Sequence, residues 1–320
     1  MLLPIIEDVS LKTLNCFAMP MSVIETAPNF SYDYSLQKAI SLYAKKISIL
    51  LKKENSLLVP HCLPFPFWKS LHFRSKVFVN KKNIKKTIIK SLSQKEYVYM
   101  GINEQYIPKR GAYKNFFFYH EILVYGYCEQ KDMFHTIGYN EDSSYETQLI
   151  QSEDLINAYK TNRVKLFSFY TIRLNNNCNL NQINRKMLVL KASLYSHPIK
   201  KNYGYKAYEA FCIQLKKDFL KSTIDIRSFR TIYDRALIFS KSDYIKNNLS
   251  VNTIELINEN LIRSRTLMKN AIKYSLLQNK DLEDLLFYDI RQFANTEKAI
   301  IRDIQKCLLL QTKNKSNTIT

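Results

Sequence analysis

The sequence predicts an α+β protein whose second half is mainly α-helical. Helix-like periodicity comes first along the chain, three strand-like segments follow one another in the middle, and helix-like periodicity then returns. Strands joined by short turns pair antiparallel, whereas a parallel sheet needs strands that alternate with helices. Hydrophobic residues make up 46% of the chain and aromatic residues 13%, which is enough for a core and excludes wholesale disorder.

The first third of the chain predicts helices. Residues 1–15 have the pattern of an extended lead-in, and the apolar run 16–24 predicts a buried helix in which Pro20 removes one amide donor. Apolar residues at helical spacing predict an amphipathic helix over 34–51. Another amphipathic helix is predicted over 81–95, where lysines form a basic outer face.

The middle of the chain predicts the strands of an antiparallel sheet. Three segments have the composition of strands, and they cover 96–103, 116–127 and 133–139. Lys131-Asp132 is the predicted turn between the last two strands. A short helix with a serine cap is predicted over 152–159.

The second half of the chain predicts helices after two strand-like stretches at 164–174 and 187–190. The predicted helices cover 205–220, 226–240, 252–277 and 282–310. The polar end of the chain is expected to fray. We therefore predict one domain over 1–162, a mainly helical domain over 163–311 and a frayed tail over 312–320.

The net charge of +20 indicates either an acidic partner or a compositional bias toward lysine. Residues 1–160 carry 20 Lys and Arg against 15 Asp and Glu, and residues 161–320 carry 28 against 13, so most of the excess lies in the second half. An acidic partner would be a nucleic acid, an anionic membrane surface or an acidic carrier protein. Only five glycines are present, and no glycine-rich nucleotide-binding motif occurs.

The N-terminus lacks the basic and apolar regions of a secretory signal, and no apolar run has the length of a membrane span. The six cysteines are scattered, with no CxxC pair. We therefore expect a soluble, cytoplasmic protein with reduced thiols, without a cofactor and without a metal site. The sequence predicts no particular oligomeric state.

Cys16 and His120 are the candidate catalytic residues. Cys16 opens a predicted helix, where free amides and the helix dipole stabilise a thiolate. His120 opens a predicted strand, and an imidazole can accept the thiol proton. The backbone N–H of Cys16 is the predicted oxyanion donor, with Asn15 as a weaker second donor.

A third group must hold the imidazole in its productive orientation. The chain turns near Lys131 and returns along the next strand, so that Asn140 lies near the histidine end of the sheet. Asn140 is the first choice for the orienting group and Asp142 is the second.

These residues resemble the papain-like cysteine superfamily. The resemblance is carried by Asn-Cys-Phe-Ala at 15–18, His-x-x-Leu-Val-Tyr-Gly-Tyr at 120–127 and Gly-Tyr-Asn at 138–140. Within that superfamily the chain is most similar to the butirosin-biosynthesis acyltransferase family and its relatives in nonribosomal peptide and polyketide gene clusters. The resemblance covers about residues 1–160. The chain departs from papain-like peptidases in having no Gln about six residues before Cys16.

The resemblance implies a papain-like first domain, in which a helix that carries Cys16 packs on an antiparallel sheet that carries His120. It also implies an acyl-thioester on Cys16 and transfer of the acyl group from a carrier-protein thioester to an amine, in specialised-metabolite biosynthesis. A peptidase or amidase would use the same residues. Two alternatives are not enzymes: a basic nucleic-acid-binding protein and a non-catalytic scaffold. We expect nucleic-acid binding less than acyl transfer.

Overall fold

A computed structural model describes residues 1–12, 15–48, 54–59, 70–75, 81–142, 144–164, 169–181, 183–221 and 224–316. At 15–16, 45–48, 54–57, 59, 75, 81 and 312–316 it describes the backbone alone.

Helices dominate the second half of the chain, and most strands lie in the first half. The helices are α1 (Asn15–Ile24), α2 (Tyr32–Ala39), α3 (Ile84–Ser93), α4 (Ser152–Lys160), α5 (Arg185–Ser196), α6 (Lys206–Phe219), α7 (Arg227–Lys241), α8 (Asp243–Asn248), α9 (Val251–Leu277) and α10 (Asp281–Ser316). The strands are β1 (Tyr43–Ser48), β2 (Glu54–Val59), β3 (Leu71–Ser75), β4 (Tyr97–Asn103), β5 (Tyr119–Cys128), β6 (Met133–Tyr139), β7 (Tyr145–Gln151) and β8 (Tyr170–Leu174). The α+β class and the helical second half are therefore confirmed.

The chain divides into two compact units that are not contiguous in sequence. The first unit contains 1–30 and 67–179, and the second contains 31–66 and 180–320. This division differs from the boundary predicted between 162 and 163. Strand β8 falls in the first unit because it pairs with β3 and β4, and the β1–β2 hairpin falls in the second because it packs on α6 and α7.

The first unit is built on a six-stranded antiparallel sheet in the order β3-β8-β4-β5-β6-β7. One face of the sheet packs on α3 and α4. The buried side chains of this core include Ile84, Ile88 and Leu92 from α3, Leu155 and Ala158 from α4, Val98, Met100 and Ile102 from β4, Ile122 and Val124 from β5, and Phe134 from β6. Burial of one such large apolar side chain contributes about 1.5–3 kcal/mol.

Helix α1 packs on the opposite face of the same sheet. Successive residues of a strand point to opposite faces, so Tyr139 of β6 points away from the core that contains Phe134. Tyr145 is the cross-strand partner of Tyr139, and its hydroxyl lies 2.8 Å from the hydroxyl of Ser22 in α1. The hydrogen bond between the two hydroxyls therefore fixes α1 to the face that α3 and α4 leave free.

Two contacts locate the C-terminal end of α1 on the sheet. Ser22 meets Tyr145 at the end of the sheet where β7 and β5 begin. Thr26, which follows the helix, lies beside Tyr97 at the opposite end, where β4 begins. The C-terminal end of α1 and the residues that follow it therefore lie over the face of the sheet that carries Tyr97 and Tyr145.

The second unit is a helical bundle with a β-hairpin packed on it. Helices α9 and α10 run antiparallel, α7 packs on α9, and α5 and α6 pack on α10. Ser250 caps α9 by accepting a hydrogen bond from the Thr253 amide. The hairpin is held at Leu58, whose amide donates to Ser228 Oγ and whose carbonyl accepts from Thr231 Oγ1.

Two predictions of secondary structure were wrong. The helix predicted over 34–51 ends at Ala39 and is followed by β1, which finds its hydrogen-bond partner in β2. The strand predicted at 187–190 is part of α5, which Asn184 caps by accepting a hydrogen bond from the Met187 amide. In addition, α10 continues to Ser316, and residues 317–320 of the predicted tail lie outside the described residues.

None of the helices in the described residues is long and apolar enough to cross a membrane. The cysteines whose side chains are described, Cys128, Cys178, Cys212 and Cys307, carry free thiols.

Candidate active site

His120 is the second residue of β5 and points to the face of the sheet that carries α3 and α4. It is the cross-strand partner of Ile102, and it shares its face with Ile122 and Val124, which belong to the core on that side. Its Nδ1 atom lies 2.8 Å from Oε1 of Glu104. Its side chain is 33% exposed, so a reactant can reach the imidazole.

Glu104 is held in place by a short turn that directly follows β4. The turn is a 3-10 helix over Glu104–Tyr106, and Asn103 caps it by accepting a hydrogen bond from the Gln105 amide. The same Asn103 oxygen accepts from the Phe118 amide just before β5, and this bond joins the end of one strand to the beginning of the next. The Glu104 carboxylate therefore reaches His120 from a fixed backbone position.

Arg110 completes a buried polar cluster around Glu104. Its Nη1 atom lies 3.8 Å from Oε1 of Glu104, and its side chain is only 2% exposed. Burial lowers the pKa of Arg110, and the Glu104 carboxylate opposes that shift. Nε and Nη1 of Arg110 have no hydrogen-bond partner among the described residues. The guanidinium packs against Gly138, where a Cβ atom would come within 2.5 Å of Nη2.

Cys16 is the second residue of α1, as the sequence predicts. The first amides of a helix lack partners within the helix, and the helix dipole gives this end a partial positive charge. Pro20 lies inside α1 and cannot donate to the Cys16 carbonyl. The side chains of Asn15 and Cys16 lie outside the described residues, so their catalytic and oxyanion roles stay predictions.

The helix that carries Cys16 and the side chain of His120 lie on opposite faces of the sheet. His120 is at the end of the sheet where β5 begins. Helix α1 covers the face that carries Tyr145, whereas His120 points to the α3 and α4 face. The elements that carry the two residues are thus separated by the thickness of the sheet.

Asn140 and Asp142 lie in the turn between β6 and β7, close to the end of the sheet where His120 lies. The Asn140 side chain is occupied within its own hairpin: Nδ2 donates to Oε1 of Glu146 at 3.0 Å, and Oδ1 accepts from the Ser144 amide. Asp142 is exposed. The orienting role of both residues stays a prediction, and the carboxylate in contact with His120 is that of Glu104.

Sequence reasoning missed Glu104 and Arg110. A signal for Glu104 was present, because the last residue of one antiparallel strand lies beside the first residue of the next. Glu104 directly follows the predicted strand 96–103, and His120 opens the strand after it. Arg110 had no such signal, since the loop 107–118 returns to the sheet through tertiary contacts alone.

No group of three or more His, Cys, Asp and Glu side chains in the described part of the chain is arranged to hold a metal ion. Neither protein-family models nor curated protein sequences gave a match to this chain.

Proposed function

We propose that this protein is a cysteine-dependent acyltransferase in which Cys16 is the nucleophile and His120 is the general base. The observation that carries the proposal is the contact of 2.8 Å between Nδ1 of His120 and Oε1 of Glu104. A carboxylate on Nδ1 of a histidine holds the ring in one orientation and leaves Nε2 to accept a proton. In the proposal, Cys16 is the nucleophile, His120 the base and Glu104 the orienting acid.

The proposal assigns a papain-like layout to the first unit. In its support, a helix that begins next to a cysteine packs on an antiparallel sheet, and a histidine opens one strand of that sheet. Because His120 and α1 occupy opposite faces, the sulfur of Cys16 and Nε2 of His120 have to meet beyond the end of β5. The proposed reaction site is therefore at the rim of the sheet.

The proposed reaction has two steps. His120 takes the proton of the Cys16 thiol, and the sulfur attacks the carbonyl carbon of a thioester. The bond to the donor thiol breaks, and that thiol leaves with the proton that His120 held. An amine then attacks the acyl-enzyme while His120 takes its proton, which yields an amide and returns the Cys16 thiol. Water in place of the amine gives hydrolysis.

The proposed donor is an acyl group on an acidic carrier protein. A carrier of negative charge suits a chain with a net charge of +20. Lys86 and Lys90 are exposed one turn apart on α3, whereas Lys85 is paired with Asp132 at 2.5 Å. We propose that the exposed lysines of α3 contribute to docking of the carrier.

The proposal is tested by incubating the protein with a small acyl thioester and a primary amine, and by measuring the amide and the free acid by mass spectrometry. We expect amide from the unaltered protein, and none above background from Cys16→Ser or His120→Ala. Cys128→Ser, at the far end of β5, is the matched control and should keep full activity. Free acid without amide would indicate the hydrolase instead. Equal products from all variants would contradict the proposal.

Nucleic-acid binding is tested separately by the affinity for duplex DNA and for RNA at low and high salt. Binding through phosphates weakens steeply as salt rises. We expect weak affinity, and tight salt-sensitive binding that Cys16→Ser leaves unchanged would favour the nucleic-acid-binding alternative.

A further inference from the structure

The second unit contains a groove between α6 and α10 that lies within that unit alone. Its volume is about 520 Å³, which falls in the range of small-molecule sites. One wall is formed by residues from Tyr205, which directly precedes α6, to Lys216, and the other by residues 290–298 of α10. Both walls are helical, so the groove has fixed sides.

The walls of the groove carry an excess of positive charge. Three cations line it, Lys216 from α6 and Arg291 and Lys298 from α10, against a single carboxylate, Glu209. None of the three cations has an ion-pair partner among the described residues. Like charges on facing walls repel each other, so an anion placed between them gains favourable contacts with both helices.

Apart from Asn295 and the Cys212 thiol, the rest of the groove is apolar or aromatic. Ile213 and Ala294 contribute aliphatic surface, and the Lys298 ammonium lies 3.5 Å from the centroid of the Tyr205 ring. An ammonium this close to an aromatic face is held in position by the ring quadrupole. Burial raises the pKa of the Cys212 thiol to about 11, so that this groove residue is a neutral thiol at neutral pH.

The wall at Tyr208 is anchored by a buried ion pair behind it. The Tyr208 hydroxyl donates to Oε2 of Glu297 at 2.9 Å, and Nε of Arg235 donates to Oε1 of the same carboxylate at 3.0 Å. Arg235 and Glu297 are both completely buried. Since Tyr208 belongs to α6 and Glu297 to α10, this network holds the two walls of the groove together.

We propose that the groove binds a small organic anion, with its phosphate or carboxylate between Lys216 and Arg291 and a flat apolar body along Ile213 and Ala294. The cations of the groove bind the anionic group, and the apolar surface stabilises the apolar part of the ligand. Inorganic phosphate has no such body and is expected to bind more weakly. This site is independent of the acyltransferase proposal.

The test is isothermal titration calorimetry of the full chain with 1-naphthyl phosphate, with 1-naphthol and with inorganic phosphate. We expect saturable binding of naphthyl phosphate, and affinities lower by about tenfold or more for the other two probes. The Lys216→Gln/Arg291→Gln variant should lose about tenfold or more in affinity for naphthyl phosphate. Lys217→Gln removes an exposed lysine outside the groove and should bind as the unaltered protein does.

A second variant keeps the proposal testable if the double substitution harms folding. Glu209→Gln removes the one carboxylate among the described residues that line the groove and leaves the cations in place, so affinity for naphthyl phosphate should rise by about twofold to fivefold. Equal affinities for naphthyl phosphate and naphthol would overturn the proposal. So would a double variant that binds as tightly as the Lys217→Gln control.

Discussion

The Nδ1 atom of His120 lies 2.8 Å from Oε1 of Glu104, across the junction between the end of β4 and the beginning of β5. A buried carboxylate on one ring nitrogen fixes the orientation of a histidine and the atom that can take up a proton. In the proposed reaction this contact makes Nε2 the atom that receives the proton of Cys16.

Replacement of Glu104 should therefore impair the chemistry of Cys16. We expect Glu104→Gln to slow alkylation of Cys16 by iodoacetamide by about 10-fold to 100-fold, because the imidazole loses its orienting carboxylate. The rate is measured at neutral pH by mass spectrometry of the peptide that contains Cys16. The melting temperature of the variant shows whether the fold is retained.

The alkylation rate of Asn140→Ala should be compared with that of Glu104→Gln. The Asn140 amide is bonded to Glu146 and to Ser144, so we expect its loss to change the alkylation rate by less than about threefold. If Asn140→Ala instead slowed Cys16 alkylation more than Glu104→Gln did, the orienting role would belong to Asn140, as the sequence predicts.

Gly138 tests the support that Arg110 gives to Glu104. A Cβ atom at Gly138 would come within 2.5 Å of the Arg110 guanidinium, which is buried and has little room to move. We expect Gly138→Ala to lower the free energy of unfolding by about 1–3 kcal/mol and to slow Cys16 alkylation. Gly111→Ala meets no atom within 4 Å and is the matched control. If the two variants were equally stable in urea, the packing of Arg110 on Gly138 would have no energetic role.

The candidate site was only partly predictable from the sequence. The spacing of apolar residues located α1 and β5, so the backbone positions of Cys16 and His120 followed from local patterns. The face to which His120 points depends on the register between β4 and β5 and on which helices cover each face, and both are set by tertiary contacts. The contact with Glu104, by contrast, could have been predicted, because Glu104 directly follows the strand that precedes the strand of His120.

The fold shows the same division between local and tertiary information. Helices α7 and α9 have apolar stripes long enough to identify them from periodicity alone. The β1–β2 hairpin was missed, because Tyr43 and Ile47 fit both a helical and an extended pattern and only the pairing with β2 decides between them. The two units are non-contiguous because of such strand pairings, which cannot be recognised from the amino-acid composition of each segment.

Glu25 should make the stability of the protein fall as pH rises. Burial raises the pKa of Glu25 from 4.5 to about 7, although its Oε1 accepts a hydrogen bond from the Ser10 amide. Between these two pH values the folded protein binds more protons than the unfolded chain, so the free energy of unfolding decreases with rising pH. The loss from this one group is at most about 3 kcal/mol.

Glu25→Gln should remove this dependence. Urea denaturation at about pH 5 and about pH 8 should show similar stability for the variant and the unaltered protein at the lower pH, and a variant more stable by about 1–3 kcal/mol at the higher pH. Glu153→Gln changes an exposed carboxylate and serves as the control. A variant no more stable than the unaltered protein at the higher pH would show that Glu25 ionises freely in the folded state.

Glu297 should be among the residues most important for the stability of the second unit. Its carboxylate is completely buried, and it accepts hydrogen bonds from Tyr195, Tyr208 and Arg235. Glu297→Ala leaves the Arg235 charge buried without its partner, which should cost about 3–5 kcal/mol in urea denaturation. Lys246→Ala breaks only the exposed pair with Asp243 and should cost less than about 0.5 kcal/mol. Comparable losses in the two variants would contradict the role assigned to the buried network.

The proposed function requires the sulfur of Cys16 to carry an acyl group during turnover, and intact-mass spectrometry after exposure to an acyl-carrier thioester detects that group. We expect a mass increase equal to one acyl group in the unaltered protein and in Cys128→Ser, and no increase in Cys16→Ser. Peptide mapping should place the group on the peptide that contains Cys16. An acyl adduct that persists in Cys16→Ser, or no adduct in any variant under conditions where the thioester is consumed, would rule out Cys16 as the nucleophile.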